Sequence, residues 1–370
     1  MTRAPPIDDA AAGVCARRLA AQQVARHDFS TPEALVGWLG AVQAQDYAGS
    51  KWALAVRLRG RETDASVGRA LDEGRVIRTH ALRGTWQLIA PDDARWMISL
   101  VGPRIMARAE PRHAQLDLES ATVRRAVAAI DKALGGGAAL TRQEIAAALS
   151  RARISPAGQR LSHLLACAEL DAAICNGPRR GKQATWVQFD RAVRAAKPVR
   201  REEAAGRLAS RYFQSRGPAT LRDFVWWSGL PVAEARAGIE ALAGELASET
   251  IAGQRHWHSG QAARRSIGRA VFLLPPFDEY LVGYRDRDML LDPAHAKLVN
   301  AGGGLLDASI VVGGRVVGTW RRTLARERVS IVLRPFHPLS RADGDAVRRA
   351  ATSYAEFLGL RADVSTASCR

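Results

Sequence analysis

Apolar positions recur at helical spacing along "AAGVCARRLAAQQVARH" (residues 11–27), the first amphipathic run of the chain. A second helix is predicted from the capping signal Ser30–Thr31–Pro32 to about Gln43, with proline where a first turn tolerates it. A third covers "DASVGRALDEG" (64–74). Two short β-like runs follow, "RVIRTHAL" (75–82) and "TWQLIA" (85–90), joined through Arg83–Gly84. The order recurs. "LTRQEIAAALSRA" (140–152) starts at a Thr141–x–x–Glu144 capping box, "SPAGQRLSHLLACAEL" (155–170) is the next helix, and "AAICNG" and "ATWVQF" are strands around the basic turn "PRRGKQ" (178–183). It recurs again as "REEAAGRLASRYFQSRG", "ATLRDFVWWSG" and "PVAEARAGIEALAG", then the strands "LASETI" and "RHWHS" (255–259).

From about 268 the pattern changes. "AVFLLPPFDEYLVGY", "LLDASIVVGG", "RVVGTWRR" and "RVSIVLRPF" run or alternate as strands, and "GDAVRRAATSYAEFLGL" closes the chain as an amphipathic helix. The expected fold class is α+β: three tandem winged helix-turn-helix repeats followed by a small β-rich C-terminal domain with a terminal helix. The expected divisions are 12–90, a helical connector 91–137, then 138–190, 199–260 and 268–370. A chain of 370 residues is long for one compact core, so several domains are expected.

Composition then narrows the function. There are 54 basic and 37 acidic residues, a net charge of +17, and only five of the basic residues are lysine. Arginine over lysine is what a GC-rich genome also produces, but the deficit of acids is not, and the excess of guanidinium forks points to a polyanion such as DNA. Cys15, Cys167, Cys175 and Cys369 form no CxxC pair, and the eight histidines form no HExxH or tight cluster, so no metal and no disulfide framework is expected. "LGGGAAL" (134–140) and "AGGGLL" (301–306) lack the spacing of phosphate-binding loops and read as linkers or turns; no GxSxG is present. Apolar runs break well short of a membrane span, and "MTRAPPIDDAA" lacks the apolar core of a signal peptide. A soluble cytoplasmic, nucleoid-associated protein without membrane contact is expected.

Four stretches carry the chemistry: "AVQAQDY" (41–47), "RTHALRGTWQLIAP" (78–91), "LLPPFDEYLVGYRDR" (273–287) and "VGGRVVGTWRR" (312–322). Together and in this order they resemble the winged-helix DNA glycosylases of the AlkZ/YcaQ family over nearly the whole chain. The resemblance implies a monofunctional glycosylase that removes N7-alkylated guanine, in some members bulky natural-product adducts, with a motif of glutamine, an apolar residue, then glutamine or aspartate. Gln43–Ala44–Gln45 matches the AlkZ-like form. A histidine often follows the tryptophan of RGTW in that family; here Gln87 stands there, and no role carries over to it.

The chemistry is consistent with that motif. N7-alkylguanine is already cationic, so the base departs neutral. A glutamine amide takes no proton at neutral pH, yet its oxygen can orient water and stabilise positive charge on the sugar. Gln43 and Gln45 are therefore the candidate catalytic pair, with Asp46 as a rival base or a structural partner of backbone or an arginine. No lysine falls at the motif, which argues against a lyase step. Candidate DNA contacts are Arg78, His80 and Arg83 on a wing, Arg179, Arg180 and Lys182 on the "PRRGKQ" turn, and Arg285 and Arg287. The "PFDEYLVGYRDR" run otherwise reads as salt-bridged scaffold, the histidines of "HWH" as structural, and Trp226–Trp227 as packing for the third repeat. The expected partner is duplex DNA containing alkylated guanine, bound by a monomer without cofactor. A non-catalytic winged-helix regulator is the main alternative, disfavoured by three unlike repeats in one chain. A crosslink-unhooking glycosylase of broader YcaQ-like scope is a second, disfavoured by glutamine rather than aspartate at position 45.

Overall fold

Helices followed by strands come three times before a single larger sheet ends the chain. The computed structural model describes residues 9–260, 267–302 and 304–367. Cys369, Gly303 and most of the N-terminal stretch read above lie outside them. In the first segment come α1 (Asp9–Ala21), α2 (Pro32–Leu39), β1 (Val42–Gln43), α3 (Tyr47–Ala55), α4 (Asp64–Asp72), β2 (Ile77–His80) and β3 (Trp86–Ile89), with sheet order β1-β3-β2. In the second are α5 (Pro91–Gln115), α6 (Ser120–Ala133), β4 (Leu140–Thr141), α7 (Arg142–Arg151), α8 (Arg160–Leu170), β5 (Ile174–Arg180), β6 (Gln183–Gln188) and α9 (Phe189–Ala192), with order β4-β6-β5. The third has α10 (Arg201–Arg216), α11 (Leu221–Ser228), α12 (Val232–Glu240) and the hairpin of β7 (Ala247–Ile251) and β8 (Gln254–His258).

The fourth holds β9 (Val271–Leu274), α13 (Glu279–Val282), α14 (Ala296–Val299), β10 (Asn300–Gly302), β11 (Leu305–Leu306), β12 (Ser309–Val312), β13 (Arg315–Leu324), β14 (Arg328–Pro335), α15 (Arg341–Leu358) and β15 (Arg361–Thr366). Its main sheet runs β15-β14-β13-β12-β9, antiparallel except for the parallel β14–β15 pair. The sequence reading omitted β15, whose "RADVST" is a largely exposed edge with no apolar alternation to announce it.

Local signals account for several boundaries. Thr31 caps α2 and Pro32 opens it; Thr141 and Glu144 form the reciprocal capping box of α7. The helix expected through Gln43 stops at Leu39 instead. Gly40 turns the chain with φ +75°, and a Cβ there would meet Arg211 Cβ at 2.8 Å, so only glycine fits the turn. Beyond it the chain is extended, and a helix absent from the sequence reading, α3, begins at Tyr47.

The first and last segments share one core. Trp52 of α3 packs on Tyr354 and Phe357 of α15, with ring centroids 5.2 Å apart in both pairs, and Trp320 of β13 meets Tyr354 at 5.0 Å. Both indoles also satisfy their N–H, Trp52 on the Leu273 carbonyl at 2.7 Å and Trp320 on that of Leu274 at 2.9 Å. This packing brings residues near 279 against residue 43. A second core joins α1, α5, α10 and α11 around Tyr212, Phe213, Phe224 and Trp227, and a third lies within α6, α7, α8 and their sheet.

Candidate active site

Val42 and Gln43 pair with Leu88 and Gln87, and the Ala44 N–H donates to the Trp86 carbonyl at 2.8 Å. The glutamine stretch is thus the edge of the β1-β3-β2 sheet, not a helix end. Strand β1 ends at Gln43 and Gln45 lies in the bend that follows it; Val42 and Ala44 are buried in the core, whereas neither glutamine is. Gln43 is half-buried and Gln45 exposed.

Gln43 is held from two sides by groups distant in sequence. Its N–H donates to Glu279 Oε1 at 2.9 Å, and its Oε1 accepts from Arg83 Nη2 at 2.7 Å. Glu279, at the start of α13, is fully buried; its other oxygen accepts from Arg216 Nη2 at 2.6 Å and from Trp227 Nε1 at 3.0 Å. Arg216, also buried, donates in addition to the carbonyls of Leu39 and Ala41 at 2.7 and 2.8 Å. One guanidinium therefore fixes the Gly40 turn and the carboxylate that fixes Gln43. Burial alone would raise the Glu279 carboxyl, but the Arg216 charge and hydrogen bonds hold it below the ordinary range.

Arg83 sits at φ +59° in the β2–β3 turn, which aims its side chain back over the strand toward Gln43 and the Trp227 carbonyl. Burial lowers its pKa to about 10, against the opposing pull of Glu279. No residue of the described chain accepts from the Gln43 amide NH2, which leaves it for an incoming group. Gln45 touches the protein only through a long contact of its Oε1 with the Trp86 N–H, at 3.4 Å.

Asp46 pairs with Arg322 Nη2 of β13 at 3.0 Å, the arginine bond that was one of its expected roles. It stands at the N-cap of α3 without capping it. Gly49 leaves room for its carboxylate, since a Cβ there would lie 2.8 Å from Asp46 Oδ2.

The arginines expected to face phosphate divide sharply. Arg78 is turned inward: it donates to the Ala44 carbonyl at 3.0 Å and to Asn176 Oδ1 at 2.7 Å and lies over the Trp86 ring at 3.9 Å. Burial lowers its pKa to about 10. Its place is behind the glutamine strand, because a guanidinium with five donors satisfies the free carbonyl of that edge. His80 likewise holds Glu169, Nδ1 to Oε2 at 2.5 Å, while Glu169 takes Trp186 Nε1 at 2.5 Å.

Arg179 lies 4.3 Å over the Tyr47 ring and Arg180 pairs with Glu144 at 2.8 Å. Lys182 has no side-chain partner and is exposed on the same turn. Arg285 and Arg287 flank the exposed Trp226 ring at 5.3 and 5.9 Å; burial, then the Arg285 charge, lowers the pKa of Arg287. Trp226 is therefore 36% exposed, whereas Trp227 is core as expected.

Asp278 is scaffold, bidentate with buried Arg57 at 2.7 and 2.8 Å. His256 and His258 bond to the Gln254 carbonyl and to Glu249. Among the described residues no three His, Cys, Asp or Glu side chains group as a metal site, and no helix is long and apolar enough to cross a membrane. The sequence reading missed Arg216 and Trp227 as holders of Gln43. They lie inside ordinary helices, and nothing local marks them.

Gln43 on the sheet edge, backed by a buried carboxylate–guanidinium pair, and exposed Gln45 beside it stand on an arginine-rich chain. Comparison with known proteins gives the class. The chain matches the AlkZ-like family, described as "DNA glycosylase AlkZ-like", over residues 36–357, and it belongs to that family. It is a DNA glycosylase, not the non-catalytic regulator kept as an alternative. A curated relative from Streptomyces sahachiroi, an interstrand DNA cross-link repair glycosylase, is 27% identical over 346 residues, covering 88% of this chain and 90% of that one. The solved structure of the Streptomyces sahachiroi DNA glycosylase AlkZ superposes with a TM-score of 0.79 at 24% identity, covering 96% and 99% of the two chains. The mixed α and β architecture is shared with it.

Proposed function

We propose that this glycosylase hydrolyses the bond between N9 and C1′ of N7-alkylated guanine in duplex DNA, in the repair of alkylation and cross-link damage or in self-resistance to an alkylating toxin. The observation that carries the reading is Gln43 on the edge strand, locked through Glu279 and Arg83, with Gln45 exposed in the bend two residues on. As the bond breaks, its electrons neutralise the cationic base and positive charge gathers on the sugar. The amide oxygen of Gln45, held only by a long bond from the Trp86 N–H, keeps a lone pair to polarise and aim a water at C1′, and the Gln43 NH2 can hold the neighbouring sugar–phosphate. The water adds to C1′ and its proton passes to solvent. Neither amide needs to ionise, which suits a substrate whose leaving group needs no protonation. Asp46, spent on Arg322, is assigned to positioning.

In this reading each of the first three segments is a winged helix, and the chain acts as a monomer in the cytoplasm. DNA is held through the backbone by the exposed cations Lys182, Arg180 and Arg285 and the half-buried Arg179. Arg78, His80 and Arg83 shape the site from behind. Incubation with a duplex carrying one N7-methylguanine, followed by mass detection of the free base, tests the assignment. Release of N7-methylguanine with an alkali-labile site left behind supports it; a bound duplex from which no alkylated base is ever released sinks it.

A further inference from the structure

At the Arg83 end of the β2–β3 turn a cleft of about 710 Å³ opens between α5, α8 and the end of α11. A volume of this order suits a drug-sized ligand, far more than a methyl group needs. Its walls are mainly apolar, with Ile105, Met106 and Leu230 among them, and Trp226 stands among its lining residues, partly exposed.

Among its polar groups that find no partner in the described residues, Arg104 and His80 Nε2 are the two that matter here. Arg104 makes no hydrogen bond or ion pair within the described chain, and its Nε is shut off from solvent. His80 spends Nδ1 on buried Glu169, which leaves Nε2 as the ring nitrogen not bonded within the chain. A buried donor without an acceptor is costly, and a ligand acceptor would relieve that cost. The cleft connects to the glutamines through two of its lining residues. Arg83 lines it and bonds Gln43, and His80 lines it and lies tilted against the Trp86 ring at 4.1 Å between centroids, the Trp86 backbone N–H facing Gln45.

We propose that this cleft receives the substituent carried on N7 of the damaged guanine, and that the substituent it selects is large, aromatic and bears a hydrogen-bond acceptor for Arg104. The inference rests on the glycosylase reading above. N7 is separated from N9 only by C8, so any group on N7 starts beside the bond the glutamines address. A long substituent then reaches past Arg83 into the cleft, where Trp226 and the aliphatic wall cover its ring. A phosphate would satisfy Arg104 but would leave the apolar walls bare, and a methyl adduct would leave the cleft empty.

The test compares two duplexes, one with N7-methylguanine and one with the N7-guanine monoadduct of an aryl nitrogen mustard, with wild type, Ala166→Phe and Arg104→Met. Ala166 lines the cleft from α8 and takes no part in the glutamine site, so phenylalanine there fills the cleft. Ala166→Phe is expected to leave methyl-adduct release unchanged and to cut aryl-adduct release by about ten-fold or more. Arg104→Met is expected to raise KM for the aryl adduct alone. If Ala166→Phe does not fold, Ile105→Trp fills the same space from α5. An equal loss on both duplexes, or none on either, overturns the cleft assignment while the glycosylase reading stands. Release of neither base by wild type overturns the proposed function, and the cleft assignment with it.

Discussion

Glu279→Gln is the most informative single change, because it keeps the shape of the side chain and removes its charge. In the structure the carboxylate accepts from Gln43 N–H on one oxygen and from Arg216 and Trp227 on the other. A glutamine can offer one carbonyl to one side only. Its NH2 then faces either the Gln43 N–H or the guanidinium and indole, a donor against donors. Arg216, completely buried, becomes an uncompensated cation. Breaking one partner of such a pair costs about 3–5 kcal/mol. With an unfolding entropy of about 2.1 cal/mol/K per residue, a chain of 370 residues melting as one unit loses about 4–6 °C of Tm.

Thermal and urea unfolding followed by circular dichroism and tryptophan fluorescence would read the loss. Activity is expected to fall through kcat more than through KM, because Gln43 loses its anchor while the DNA contacts remain. Adding Arg216→Met removes the stranded charge and should restore part of the stability. It should not restore activity, since the Leu39 and Ala41 carbonyls also lose their donor. A Glu279→Gln protein with wild-type Tm and wild-type turnover would refute the claim that this buried pair sets the site.

Other expectations follow from the same geometry. Because Glu279 is held below the ordinary carboxylate range of about 4.3, its contribution to stability is complete above that range and lost as pH falls through its folded pKa. An acid-unfolding series should therefore show a steeper acid limb for wild type than for Glu279→Gln. Asp46→Asn weakens only a part-exposed pair with Arg322, so a stability loss under about 1 kcal/mol and a few-fold loss of turnover at most are expected; a collapse of activity would return Asp46 to the role of base. Lys182→Ala, the one cation of its turn with no protein partner, should lower the salt slope of duplex binding by about one contact's worth, near 0.9 in log K against log salt. An unchanged slope would remove Lys182 from the interface.

The sequence announced what is local. The capping signals at Thr31–Pro32 and Thr141–Glu144 and the hairpin around residues 178–183 are written in neighbouring residues. The glutamine strand was not legible as a strand, since "AVQAQ" is rich in helix formers and its extended shape comes from the Gly40 turn and from pairing with β3. The holders of Gln43 were hidden for another reason. Arg216 and Glu279 are 63 positions apart and Gln43 lies 236 from Glu279, so only the tertiary packing of the first, third and fourth segments joins them. Arginine count pointed to a polyanion, but which guanidinium turns inward depends on whether a free carbonyl waits behind it, as Ala44 does for Arg78.

The central claim is that Gln43 and Gln45 carry the hydrolysis. The most direct measurement is the single-turnover rate of base release from an N7-methylguanine duplex, at saturating enzyme, for wild type, Gln43→Ala and Gln45→Ala, with duplex affinity measured alongside. The account predicts rates lower by about 10²–10³-fold for Gln45→Ala, a comparable or smaller loss for Gln43→Ala, and unchanged binding. Variants that release the base at the wild-type rate while binding normally would contradict it.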